Sequence, residues 1–528
     1  MVISGAGVVR AARLEMLLGD PWLDGGVHSL CALAAGGPPV ATLELLRLAG
    51  TAGECVSAAQ GGQFTTAEEY VRALRPVLRR DVALGYAVGV APLSTPQSAV
   101  PYGVPQSGVV YGVPQSGVAD VLCRPGARGV LTAAVVSAAA GTVLRAAVGV
   151  VAARGGAAVR QWQGVLAALF AELLACECLT GVALRALGRP GGAPVLGALT
   201  GYLVPHLIGE GLEDLELVLN ENGCAASSAQ RRTLDKVWGD LPGVGAGPAD
   251  TARRLARLVS CLPALADAAV RGERAVDGAL FRLGEQNAPA GTSALPHPAT
   301  PPVTPAPRAR AVSPPVTTPA RHPLPPAGPV HSAGPVRPAG LVHSASPADP
   351  AGSVHSVEAV EAVEPVGVVG ADGVLFAVLG GAAARLAGAV GEGEVALGRV
   401  ARRLVSEQRV LLGPCRTAAA AAAGTATAAG MGGVGGVDPV GCGLAERQAL
   451  LGLAGAVLGV REAAVGGGGG FLAGAGWAVV ALSRITERLG VPLLSVVPAG
   501  AVESVWVELA ARVGQGRDVD VYATPLPW

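Results

Sequence analysis

From Gly129 to about Asn287, apolar residues recur three and four positions apart through four or five segments, separated by turns at Gly155-Gly156, Arg189-Pro190-Gly191-Gly192 and Leu241-Pro242-Gly243. That period belongs to helices with a face turned to a core, so a helical domain is predicted over 129–287. Residues 1–95 form an N-terminal helical domain with weaker signals. The best is Thr65-Thr66-Ala67-Glu68-Glu69, where Thr65 is placed to cap a helix with an acidic first turn. The amphipathic run Tyr70 to Leu84 continues it, kinked or restarted at Pro76. Helical spacing returns over 373–412, 444–462, 477–489 and 501–513, a C-terminal helical domain within 368–528. The alanine run Ala418 to Ala423 and the glycines around Met431 read as a flexible stretch within it.

Between these blocks the pattern fails. A nine-residue motif, Pro96-Gln97-Ser98 onward, recurs from Pro105 and begins again at Pro114; residues 96–128 read as an exposed loop, too short to stack as a solenoid. Residues 288–367 hold 19 of the 41 prolines and no Phe, Trp or Tyr, the composition of a disordered linker. His331, His343 and His355 repeat there as Val-His-Ser, a duplicated spacer rather than a metal site, since metals need convergent ligands. The most apolar stretch, Gly129 to Ala153, is interrupted by Arg145 and reads as a buried core helix rather than a membrane span. Gly466 to Gly470 follow a helix, not a strand, so they suggest a joint and not a phosphate cradle.

Composition narrows the classes. Lys+Arg and Asp+Glu are both 39, and the arginine pairs lie among carboxylates, which argues against nucleic acid as a partner. The nine cysteines show no CxxC spacing and read as reduced thiols; no metal site is expected. Met1 to Arg13 lacks the apolar run of a signal peptide, so a cytoplasmic protein is expected. With Gly 77, Pro 41 and few rings, the core must be built from Ala, Val and Leu. The fold class is mostly α.

Five strings together resemble acyl-CoA dehydrogenases of high-GC bacteria: Leu14 to Trp22, Leu74 to Leu84, Phe170 to Cys178, Tyr202 to Ile208, and Gly516 to Leu526. The resemblance implies an N-terminal helical domain at 1–95, a four-helix bundle at 129–287 and a further helical extension at 368–528. The family's middle β-domain has only residues 96–128 in its place, too few to fold alone. The family uses FAD and a glutamate base to dehydrogenate an acyl-CoA thioester, and it forms oligomers.

Carried over residue by residue, the resemblance assigns cofactor contact to Gly155 and Gly156 in the Arg154-Gly155-Gly156 turn, to Gln161, and to Gly223. Gln161 reads equally well as a solvated helix residue. Where many members place the catalytic glutamate, this chain has Gly243 to Thr251 and no glutamate, so the catalytic residue is unknown. Asp250 and Glu221 are the nearest carboxylates, and Asp250 reads as the cap of a helix starting at Thr251. His206 reads as a core or helix-start residue, and His28 and His206 assemble no triad. Two functions remain open: a degenerate FAD-dependent acyl-CoA dehydrogenase, weakly active or inactive, or a non-catalytic helical interaction protein that binds itself or an intact homologue. No membrane partner is expected.

Overall fold

The computed structural model describes residues 6–23, 26–34, 40–50, 64, 66–91, 121–124, 126–189, 192–271, 278–283, 373–428, 439–467, 469–491 and 497–527. Among them the chain is mostly helical, with no β-strand. Five short helices come first: α1 (Ala6–Leu18), α2 (Leu30–Ala34), α3 (Val40–Leu48), α4 (Ala67–Leu78) and α5 (Val82–Gly89). Three long ones follow, α6 (Ala127–Arg154), α7 (Gly156–Leu187) and α8 (Pro194–Glu221), then α9 (Ala229–Asp240), α10 (Pro248–Ser260) and α11 (Leu262–Arg271). The C-terminal part holds α12 (Val374–Arg385), α13 (Glu392–Ala428), α14 (Pro439–Gly466), α15 (Ala475–Arg488) and α16 (Ala499–Gly514). The repeat at 96–118 and the linker lie outside the described residues, as does the alanine and glycine region beyond Ala428 to 438.

Local chemistry sets the boundaries and corrects four expectations. The cap of α4 is Thr66, one residue past Thr65: its Oγ accepts from Glu69 N–H at 3.2 Å. Pro76 does not interrupt α4, which runs two residues past it to Leu78; the chain restarts at Asp81, whose carboxylate accepts from Leu84 N–H at 2.8 Å. Pro248 starts α10 three residues before Thr251, since its missing N–H is no loss at a first helical position. Asp250 therefore sits in the first turn, 2.8 Å from Arg253, and Gly247 is the cap. Helix α13 runs through Ala418–Ala423 to Ala428, consistent with alanine's high helix propensity.

α6 and α8 meet backbone to backbone. A Cβ added to Gly197 would stand 2.8 Å from Gly126 Cα, and one on Gly201 2.8 Å from Gly129 Cα. Only glycine permits that approach. Around this pair, α7 is buried on nearly every side from Leu166 to Leu187 and must be covered there on all sides. α6 and α8 cover part of it, and α14, α15 and α16 cover the rest. The three helical stretches set apart in the sequence, 1–95, 129–287 and 368–528, thereby share one hydrophobic core, and 1–289 with 368–528 form one compact unit.

Four helices, α6, α7, α8 and α14, are long and apolar enough to cross a membrane, with mean hydropathies of 1.8, 1.9, 1.2 and 1.5 over their most apolar windows. α6 is longer than the Gly129–Ala153 stretch suggested. Between 72% and 89% of each window is buried against other parts of the chain. Arg145, within α6, donates to the carbonyls of Arg517 at 2.6 Å and Val513 at 3.1 Å.

Candidate functional site

The densest polar cluster lies between α1, α4, α7 and the extended tail after α16. Arg75 and Arg79, four apart, share one side of α4, and Arg80 follows its end. Arg75 forms a two-pronged pair with Glu177 of α7, at 2.7 and 3.2 Å. Its Nε also stands 2.9 Å from Asp518 and 3.1 Å from Asp520. Arg79 pairs with Asp518 and with Glu15 of α1. Arg80 holds the other oxygen of Glu15 at 2.8 Å and donates to Gly19 O at 2.6 Å. All seven side chains are buried.

The tail is folded around these carboxylates. Asp518 N–H donates to Thr524 O at 2.8 Å, and Tyr522 N–H to Asp520 Oδ1 at 3.1 Å. The Tyr522 hydroxyl reaches Glu68 at 2.6 Å while the Arg72 guanidinium lies 4.2 Å above its ring. Thr142 of α6 donates to Arg79 O at 2.8 Å, tying the cluster to the core.

Four carboxylates (Glu15, Glu177, Asp518, Asp520) face three guanidinium groups (Arg75, Arg79, Arg80), and the Arg145 guanidinium also acts on Asp518. Burial and the neighbouring Asp518 charge push Asp520 up to about 6. Burial also opposes ionisation of Asp518, but Arg79 and Arg75 override it and hold that carboxyl well below its usual range. A cavity beside Glu15, Arg79, Thr142, Arg145 and Asp518 has room for about one water molecule. The cluster is a closed clamp with no space for a substrate.

A second cluster joins α7, α8, α14 and α15. Glu172 and Glu210 both pair with Arg488, the former at 2.7 Å. His206 Nε2 stands 3.5 Å from Glu210 and 3.8 Å from Glu446, with its ring stacked on Tyr202. The Glu446 carboxylate raises the His206 pKa against the opposing effect of burial. His206 is thus a half-buried, mid-helix residue in an ionic cluster, and not a helix-start residue. His28 Nδ1 is 2.8 Å from Thr42 Oγ, in another part of the fold.

The residues assigned to a flavin gather only in part. Gly155 and Gly156 form the α6–α7 turn, and Gly223, with φ 65°, follows α8; a Cβ on Gly223 would lie 2.9 Å from the Arg154 guanidinium, so the two turns adjoin. Gly156 and Gln161 are exposed, and none of the four lines either small cavity beside the arginine cluster. An exposed turn does not enclose an isoalloxazine ring, so these residues do not fit FAD. Asp250 is engaged with Arg253, and Glu221 ends α8 in solvent. Cys176, Cys178, Cys224 and Cys415 are free thiols, and among the described residues no His, Cys, Asp and Glu converge to hold a metal.

Sequence reasoning missed the arginine cluster, although Glu15, Arg75, Arg79, Arg80, Glu177, Asp518 and Asp520 all lie inside strings quoted above for the family resemblance. The available signal was charge embedded in apolar runs, as in Ala171-Glu172-Leu173 and Cys176-Glu177-Cys178. No family model, curated protein or solved structure matches the chain. The acyl-CoA dehydrogenase resemblance therefore rests on those strings alone.

Proposed function

We propose that this chain is a non-catalytic helical interaction protein that associates with itself through the outward face of α1–α3. The observation that carries this reading is a run of exposed apolar side chains along one stretch of sequence: Val9, Met16, Leu23, Val27, Val40 and Leu48 are each 59–71% exposed within some forty residues. Elsewhere such residues, for instance Leu217, Val390 and Val507, are scattered along the chain. Clustered exposed apolar surface is characteristic of interaction sites, whereas single exposed residues are ordinary.

The opposite side of these helices is anchored. Leu14, Leu18 and Leu46 pack with Val77 and Leu84, and Glu15 is gripped by Arg79 and Arg80. The buried clamp then serves the function indirectly: it fixes α1 to the bundle and keeps the apolar side outward. Light scattering after size-exclusion chromatography tests this, because Met16→Glu with Leu48→Glu should convert an oligomer to a monomer. The competing reading is the FAD-dependent acyl-CoA dehydrogenase, which the family resemblance of the five strings implies. It predicts flavin absorption bands that survive desalting, and their presence would overturn the non-catalytic reading.

A further inference from the structure

The middle of α13 presents one outward strip. Arg399, Arg402, Arg403, Ser406, Arg409 and Val410 are exposed, whereas Leu397, Val400, Ala401, Leu404 and Leu411 are buried. At 3.6 residues per turn the exposed set falls within an arc of about 120°, and Arg399 to Arg409 extends about 15 Å along the axis. None of these four arginines has an ion pair or hydrogen-bond partner among the described residues. The carboxylates within a turn of them are engaged elsewhere: Glu394 pairs with Arg461 and Glu407 with Arg447, both on α14, and the exposed Glu392 lies seven residues before Arg399. Farther along, Arg416 is 3.5 Å from Asp267. In a chain with no net charge, one helix face carries four uncompensated positive charges. Arginines three and four apart repel each other, so the strip does nothing for helix stability.

Two features select the occupant. The remaining sides of α13 pack on α11, α12, α14 and α15, so this strip is the face of the helix left open to a partner, and its uniform positive charge calls for an acidic one. Val410, 64% exposed, lies within the strip and offers an apolar contact that a phosphate backbone cannot use but a peptide side chain can. Guanidinium groups hold carboxylates by paired hydrogen bonds. We propose that the strip formed by Arg399, Arg402, Arg403 and Arg409 around Val410 docks an acidic, amphipathic segment of a partner protein.

The test is fluorescence anisotropy with the full-length chain and a labelled sixteen-residue synthetic peptide, with glutamates three and four apart and leucines between them. Saturable binding in 50 mM NaCl is expected, weakening in 200 mM NaCl as screening increases. Arg402→Glu with Arg409→Glu should weaken binding at least tenfold, and Val410→Ser about threefold. Arg154→Glu with Arg160→Glu, at exposed sites away from α13, should leave it unchanged. If the charge-reversed variant melts early, Arg402→Gln with Arg409→Gln makes the same comparison. Absence of peptide binding at low salt, or equal binding by the α13 variants, overturns the proposal. So does tighter binding of an oligothymidylate or of phosphatidylserine vesicles. The Met16→Glu, Leu48→Glu variant should bind the peptide normally, which separates this surface from the self-association face.

Discussion

Replacing Asp520 by Asn removes an ion-pair partner from the buried cluster and is nevertheless expected to stabilise the protein at pH 8. Asp520 has its pKa raised from 3.8 to about 6. A group that holds its proton more tightly when folded costs nothing below its unfolded pKa. The cost develops as pH rises between the two values and is complete above the folded one. At about 1.4 kcal/mol per pH unit, the penalty at pH 8 is about 3 kcal/mol, falling to about a third of that at pH 4.5. Asparagine keeps the Oδ1 acceptor used by Tyr522 N–H, and its amide nitrogen, in place of the Oδ2 that stands 3.1 Å from Arg75 Nε, must turn its donors to Asp518. With an unfolding entropy of about 2.1 cal/mol/K per residue, a unit spanning 1–289 and 368–528 gains about 1 °C per kcal/mol. Thermal melts followed by circular dichroism should show the variant melting about 3 °C above the parent at pH 8, with the gap closing toward pH 4.5. A variant that melts lower at pH 8, or a gap independent of pH, would refute the raised pKa of Asp520.

Removing Arg75 has the opposite sign. Arg75→Met strands Glu177 and weakens the hold on both tail aspartates, at about 3–5 kcal/mol, read as an earlier urea midpoint. Gly201→Val places a side chain where only 2.8 Å separates a Cβ from Gly129 Cα, and should lower stability by about 1–3 kcal/mol or more in the same assay. An unchanged midpoint in either variant would contradict the corresponding contact.

Part of the central bundle was readable because its evidence is local: the 3.6-residue period and the glycine turns marked the breaks between α6 and α7, α7 and α8, and α9 and α10, but not the break between α8 and α9. Helix limits at Pro76 and Pro248 depended on where within a turn each proline falls, which composition does not reveal. The clamp depended on chain reversal over great length. Arg75 meets Glu177 across 102 positions and Asp518 across 443. No window along the sequence contains that pairing. What did appear was ionisable residues set among leucines and alanines, a pattern that demands a buried partner without naming it.

The most direct test of the account is the solution mass of the full chain, measured by light scattering across a tenfold range of concentration. Self-association through α1–α3 predicts a mass of at least twice 52.0 kDa for the parent. The Met16→Glu, Leu48→Glu variant should have a mass near 52.0 kDa and an unaltered helical spectrum. A parent chain that stays at 52.0 kDa at every concentration, or a variant that remains an oligomer, contradicts it.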